Sequence, residues 1–423
     1  MTSDVAVAGP RETRLRDVKE GGLILGAQRR VTTIDCDVHP WVLPRDVVEF
    51  VPEPWRTRYY TNRMGDADKA ILFYHPPVTM RMDAPGPGRA PGEDCEDMDV
   101  FHRQVLQEGG TDYAMILPAG RTKWWDPEWE TAWCTGVNEY LARTWLGTHN
   151  WHDRYVGSIR VSPGDPEGAI REIRKWAGHP AIRQVIFAPE TLTAPAGHPM
   201  YRPVFAEAAA HGLPIGMHIG RESSMQSMSP VGYASYHIEA MGSWPTYYYA
   251  HLASMIFEGV FDRNPDLRIV CIEGGFTWLA PLMWRLDRYW DELKAEIPEV
   301  RRRPSEYVAD QVRLTTQPIE EPADPGELNR LIEWMGGQQT LMFSSDYPHW
   351  DYDDPNRVRS HLPESWRHRV MCANAQELYG LPETRPTDQL DLNADVLTRY
   401  HATPPIQWSS YDYSDARASH AAD

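Results

Sequence analysis

The chain has 423 residues, 42% hydrophobic and 24% charged, enough to bury one large core or two smaller ones, and a formal net charge of -18. A charge of that sign repels phosphate backbones and anionic lipid, so nucleic acid and membrane surfaces are poor partners. No run of about 18 apolar residues occurs, and the first thirty residues lack the apolar core of a signal peptide.

In chain order, residues 1–30 mix charges with weak periodicity and read as an N-terminal arm. Val31-Thr32-Thr33-Ile34-Asp35-Cys36-Asp37-Val38-His39 then reads as a buried strand ending in Asp37-x-His39. Residues two apart on a strand share a face, so this carboxylate and imidazole reach one point just past the strand end. The pair suits a metal ion, and equally suits a hydrogen-bonded strand-to-loop turn. From residue 40 to 95 the sequence is irregular, with a short helix near 46–60 and the run Ala84-Pro85-Gly86-Pro87-Gly88. That is the composition of a long loop, of the kind that serves as a lid.

Residues 96–109 read as a helix and 113–119 as a short apolar strand, after which the alternation becomes regular. Strands are expected at 155–161, 182–188, 214–219, 268–272, 313–317 and 340–345. Helices are expected at 127–149, from the Asp165-Pro166 cap to residue 177, and at 200–211, 245–262, 276–296, 325–335 and 364–379. Eight strands, nearly all followed by helices, imply a parallel sheet and favour an α/β fold of the (β/α)8 TIM-barrel type. The expected organisation is an arm at 1–30, a barrel at 31–382 with an insertion or lid at 40–95, and an extended C-terminal tail at 383–423 suited to wrapping a neighbouring subunit. Cys36, Cys95, Cys134, Cys271 and Cys372 are scattered, with no C-x-x-C, which argues against a disulfide framework and for a reducing cytoplasm. The 17 Trp and 20 Tyr point to an aromatic core or a large interface.

Barrel active sites sit at the C-terminal ends of the strands. Strand one ends Asp37-Val38-His39, strand five Gly216-Met217-His218, strand six Ile272-Glu273-Gly274-Gly275, and strand eight Ser344-Ser345-Asp346-Tyr347-Pro348-His349. Carboxylates and imidazoles at that depth each need a partner or cost several kcal/mol, so four such ends point to one shared metal site.

These strand ends, with FSSDYPHW around Asp346, resemble the amidohydrolase superfamily, in particular the branch typified by aminocarboxymuconate semialdehyde decarboxylase. The resemblance continues through Gly259-Val260-Phe261-Asp262-Arg263-Asn264-Pro265-Asp266-Leu267, Thr316-Gln317-Pro318-Ile319-Glu320-Glu321-Pro322, and Asn374-Ala375 before Leu378-Tyr379-Gly380, and so covers about residues 31–382. It implies a metal held by Asp37, His39, His218 and Asp346. Two departures stand out: Asp37 replaces the usual first His, and Glu273 stands where family decarboxylases and hydrolases commonly place a His after strand six. Glu273 then either takes the acid/base role or becomes a ligand. His251, on the helix before strand six, is a second candidate for either role, although a helix-borne His is more often structural. Glu222, His237 and Glu239, in or after the strand-five loop, carry the same two readings.

With Glu273 and His251 there are ligands enough for two metals sharing a carboxylate. Strand four ends Ile186-Phe187-Ala188-Pro189-Glu190 without a Lys, so any bridge would be a carboxylate. Carboxylate and imidazole without thiolate favour iron or manganese and permit zinc. The leading expectation, implied by resemblance to a small oxygenase subset of the superfamily, is a dinuclear iron or iron/manganese monooxygenase that hydroxylates a small organic substrate such as an amine. Its electrons would come from a separate donor protein, because the chain has no flavin or nicotinamide fingerprint. The alternative is a mononuclear zinc or manganese enzyme that hydrolyses an amide or ester, or decarboxylates an aromatic or other carboxylic acid, with Glu273 or His251 as acid/base. A third reading is a non-catalytic barrel subunit in a homo- or hetero-oligomer with an active paralogue, against which four retained ligands speak. His349 and Asp351 read as pocket lining or as part of a turn in which Asp353-Asp354-Pro355 caps a helix. Arg221 reads as neutralising an acidic mouth in preference to binding a substrate carboxylate; Trp124, Trp125 and the tyrosines of 247–249 read as pocket walls.

Overall fold

A computed structural model describes residues 30–40, 44–61, 80–81, 83–84, 97–118, 126–219 and 236–385. The N-terminal arm, nearly all of the C-terminal tail, much of the 40–95 insertion, and Trp124, Trp125, Arg221 and Glu222 lie outside these residues.

Eight strands follow one another in chain order: β1 (Ile34–Val38), β2 (Tyr113–Ile116), β3 (Tyr155–Arg160), β4 (Ile182–Phe187), β5 (Ile215–His218), β6 (Ile269–Ile272), β7 (Val312–Thr315) and β8 (Leu341–Met342). Each pairs in parallel with the next. The seam between β8 and β1 is closed by backbone bonds: Cys36 N–H donates to Phe343 O (3.0 Å), Asp346 N–H to Asp37 O (3.0 Å) and His39 N–H to Tyr347 O (2.7 Å). The expected (β/α)8 barrel is therefore the observed fold, with helices between the strands.

The strands are buried on both faces, as a parallel sheet requires. One face, with Ile116, Ile159, Val185, Ile269 and Leu314, packs in the large cluster with helix residues such as Phe101, Trp145, Phe205 and Leu282. The opposite faces contribute Met115, Val156, Ile186, Val270, Ile272 and Met342 to a second cluster, joined by Cys372, Ala375 and Tyr379 near the chain's last described helix. Asp126, Asp165, Asp324 and Asp354 cap the helices Pro127–Tyr140, Pro166–Trp176, Pro325–Trp334 and Pro355–His361, each with Pro in the first turn.

Two expectations need correction. Strand eight is shorter than 340–345, because beyond Met342 other acceptors replace the ladder. Ser344 N–H donates to Thr316 Oγ1 and Ser345 N–H to Asp35 Oδ1. The helix expected at 245–262 is broken at Gly259, whose φ of 66° belongs to the left-handed region, giving helices Pro245–Phe257 and Val260–Arg263. The helices His237–Ser243, Pro304–Gln311 and Gly337–Thr340 were not anticipated; Pro304 at its first turn is the signal that marks the second.

The described pieces of the insertion sit against the barrel. Val47 and Val51 pack with Trp129, Trp133 and Val137, and Met80 bridges His349 while Arg81 N–H donates to Pro348 O at 2.8 Å. At the barrel's chain ends, Val31 N–H donates to Glu383 O at 2.8 Å. Among the described residues, no helix is long and apolar enough to cross a membrane.

Candidate metal centre

The site begins with β1. Its register against β2 shifts between Asp35 and Val38, and such an irregularity re-aims the side chains beside it. Asp35 Oδ1 accepts the N–H of Asp37 (3.2 Å) and of Ser345 (2.9 Å), so this carboxylate holds β1 and the chain after β8 together directly beneath the site. His218 is the last residue of β5. Glu273 and Asp346 follow β6 and β8 with φ of 60° and 58°, backbone that costs about 1–3 kcal/mol per non-glycine residue and persists only where neighbours impose it. Glu273 N–H donates to Thr315 Oγ1 (3.1 Å) and Asp346 N–H to Asp37 O (3.0 Å).

The side chains from these four ends converge. Leu117 O can only accept, so His39 Nδ1 at 3.1 Å carries the proton. His39 Nε2 then faces Asp37 Oδ1 at 3.0 Å and Asp346 Oδ1 at 3.1 Å. His218 Nε2 lies 3.1 Å from His39 Nε2, 3.6 Å from Asp37 Oδ1 and 3.3 Å from Glu273 Oε2. One donor atom from each of Asp37, His39, His218 and Asp346 falls within 4.8 Å of the others, and all four residues are buried. The sequence-derived set of four is thus brought to one point.

Glu273 belongs to a second, overlapping group with Asp346 and His349. His349 Nδ1 is 2.6 Å from Asp346 Oδ1, and its ring lies 4.7 Å from that of His39. His349 was read as pocket lining or as part of a capping turn; its three-residue spacing from Asp346 is the signal that places the two side chains together. Asp353 and Asp354 instead serve the loop and the cap expected of them, accepting from Ile319 N–H and from Asn356 and Arg357 N–H.

His251 stands apart from both groups. Its Nδ1 accepts Ala196 N–H (3.0 Å), tying its helix to the loop after β4, and burial holds its imidazole down at about 4. Glu239 is exposed on helix His237–Ser243 and belongs to neither group.

Electrostatics at the cluster favour positive charge. Burial opposes ionisation of Asp37 and Asp346, yet the imidazoles of His39 and His218 hold Asp37 below its ordinary value, and those of His349 and His39 do the same for Asp346. Burial also opposes an imidazolium at His39, but Asp37 and Asp346 push it up to about 10. Both Asp37 oxygens and Asp346 Oδ2 are buried without a hydrogen-bond partner, although His39 Nε2 lies 3.0 Å from Asp37 Oδ1. Buried carboxylate oxygens in that condition are costly unless a cation takes them, and oxygen and nitrogen donors without thiolate suit manganese, iron or zinc. The residues present therefore fit a divalent metal.

Comparison with known proteins agrees with this architecture. The fold is similar to 5-carboxyvanillate decarboxylase from Sphingomonas paucimobilis (20% identity, TM-score 0.58, covering 83% of this chain and 100% of that one). It is also similar to a dihydroxybenzoic acid decarboxylase from Polaromonas sp. with bound manganese and the inhibitor 2-nitroresorcinol (16% identity, TM-score 0.57, 83% and 97% covered). An amidohydrolase from Mycobacterium avium subsp. paratuberculosis matches with 20% identity and a TM-score of 0.62 over 83% of this chain and 99% of that one. A family model described as Amidohydrolase matches residues 34–381, nearly the whole barrel with all the strand ends above, and on that match the chain belongs to the amidohydrolase family.

Proposed function

We propose that the chain is a divalent-metal-dependent enzyme that decarboxylates a small carboxylic acid without oxidation, hydrolysis of an amide or ester being the other reaction open to the same centre. The observation that carries this reading is the convergence of Asp37, His39, His218 and Asp346 around carboxylate oxygens that have no hydrogen-bond partner. The manganese-bound decarboxylase among the similar structures supports it. Asp37, His39, His218 and Asp346 hold the ion, and the Leu117 carbonyl fixes the His39 tautomer. When bound there, the cation supplies Lewis acidity toward a carboxylate or carbonyl oxygen. Glu273, its Oε2 at 3.3 Å from His218 Nε2, is the group placed to give or take a proton at the same mouth. The test is to strip the protein with a chelator, restore it with Mn2+ or Zn2+, and screen aromatic and other carboxylic acids anaerobically for CO2 release. Restored turnover without O2 is expected; turnover that demands O2 overturns the reading.

A second reading has its own observation. Asp346 is shared by the two donor groups, so Glu273 and His349 provide ligands for a second ion beside the first. A pair of iron or manganese ions supplies the redox chemistry of an oxygenase acting on a small organic molecule such as an amine, with electrons from a separate donor protein. In that case Glu273 is a ligand in place of an acid/base. Two ions per chain together with substrate-dependent O2 uptake support this reading, and one ion without O2 uptake eliminates it.

A further inference from the structure

The backbone of Glu273 is left-handed (φ 60°), and a glutamate side chain, unlike the shorter aspartate, does nothing to favour that conformation, so the surroundings must impose it. Tyr248, fully buried on helix Pro245–Phe257, occupies the place from which this can be done. Its hydroxyl accepts Ile219 N–H at 2.9 Å and donates to Ile272 O. Ile219 follows His218, and Ile272 precedes Glu273. The β5–β6 ladder ends at the pair His218↔Ile272, so the Tyr248 hydroxyl adds a side-chain rung just where the two site residues leave their strands.

The ring works on the same loop. A Cβ at Gly274 would lie 2.2 Å from Tyr248 Cε2, so the ring rests directly on the backbone that follows Glu273 and requires glycine there. Trp278 stacks on Tyr248 (centroids 6.3 Å apart, planes 16° apart) and donates its Nε1–H to Gly274 O (3.1 Å) and Gly275 O (3.0 Å). From the loop after β7, Glu320 accepts the N–H groups of Phe276 and Thr277 at 3.2 Å each. The turn that presents Glu273 is thus clamped from the helix before β6 and from the loop after β7, on both sides of the residue that carries the strain.

We propose that Tyr248, backed by Trp278, is a positioning residue of the metal centre that acts through Glu273, by locking the turn after β6 so that its carboxylate faces His218. This rests on the metal centre proposed above and on Glu273 serving there as a donor to the ion, as its grouping with Asp346 and His349 allows. A phenylalanine at 248 keeps the ring on Gly274 but leaves Ile219 N–H and Ile272 O without the hydroxyl, which frees the turn to relax.

The test is Mn2+ titration of the full-length chain by equilibrium dialysis, for wild type, Tyr248→Phe, Glu273→Gln, the double variant, and Tyr307→Phe as control. Tyr307 also loses a buried hydroxyl, one that donates to Asp262, but on the helix leading into β7. Tyr248→Phe is expected to weaken Mn2+ binding about 10-fold, as loss of support behind a metal site does. Because the effect passes through Glu273, the double variant should bind no more weakly than Glu273→Gln. Tyr307→Phe should lower the melting temperature and leave Mn2+ affinity unchanged. If Tyr248→Phe does not fold, Trp278→Phe, which removes the Nε1–H donated to the same turn together with part of the ring stacked on Tyr248, should give the same dependence on Glu273. Unchanged affinity in the folded variant, losses that multiply in the double variant, or an equal loss in Tyr307→Phe overturns the clamp while the metal centre stands. A wild type that takes up no Mn2+ overturns the metal centre, and the clamp with it.

Discussion

Asp37 has no exposed surface and both its oxygens lack a hydrogen-bond partner, whereas Asp35, two residues earlier on the same strand, accepts two backbone N–H groups. The same side chain thus does two jobs on one strand face, and only Asp37 is left with lone pairs to give. Asp37→Asn removes one negative charge and half of the acceptor capacity; it should abolish stoichiometric Mn2+ uptake, read by metal analysis after dialysis, while the circular dichroism of the barrel is retained. His251 makes the opposite case. Its ring accepts Ala196 N–H away from the donor groups, so His251→Leu should cost about 1–3 kcal/mol of stability at pH 7 from the unpaired N–H and leave Mn2+ stoichiometry intact. The pH dependence follows from burial, which holds the folded imidazole near 4, below its ordinary 6.5. Between those values the unfolded chain binds a proton that the folded chain does not, so this contribution is full above pH 6.5 and is lost as pH falls toward 4. The stability gap between wild type and His251→Leu should accordingly narrow across that window in urea titrations at stepped pH; a gap that widens would contradict the assignment.

At the scale of elements, the site is a property of strand ends and of what stitches them. β8 contributes only Leu341 and Met342 to the ladder, and Asp35 and Thr316 side chains take over where it stops. Asp35→Ala removes the acceptor that Asp37 N–H and Ser345 N–H share, so it should lower both the melting temperature and Mn2+ occupancy. Asp35→Asn keeps one carbonyl oxygen and should recover most of each. Equal occupancy in Asp35→Ala and wild type would separate the stitch from the site. These elements also show what could be read in advance. Period-two alternation and the rule that barrel sites sit at strand ends picked out the ends of strands one, five, six and eight, and the resemblance to the amidohydrolases narrowed these to Asp37, His39, His218 and Asp346. The conformations after the strands were not legible, because a left-handed Glu273 or Asp346 is imposed by partners far along the chain, such as Thr315 and Asp37. His349 was undervalued for the same reason: turning back onto Asp346 is a feature of the loop. His251 falls outside both donor groups, because closeness to β6 in sequence says nothing of which way a helix face points, and its Nδ1 meets the loop after β4.

For the whole molecule, the barrel gathers three carboxylates, those of Asp37, Glu273 and Asp346, at one mouth of a chain whose formal net charge is already -18. Without a cation their mutual repulsion is opposed chiefly by the protonated imidazole of His39, which Asp37 and Asp346 push up to about 10. A divalent ion that binds the folded chain and not the unfolded one stabilises it by mass action, about 2.7 kcal/mol when present at a hundred times its dissociation constant. The chelator-treated protein should therefore melt several degrees below the Mn2+-restored protein, and the difference should grow with the logarithm of free Mn2+. Salt separates this from a general charge effect. At about 1 M ionic strength the screening length falls to about 3 Å, which quenches repulsion among surface carboxylates but barely reaches buried donors. The Mn2+-dependent rise in melting temperature should thus persist in high salt for wild type and be missing in Asp346→Asn, which disables the carboxylate common to both donor groups. A rise of equal size in Asp346→Asn would mean that Mn2+ acts on the acidic surface, and that the strand ends are not where it binds.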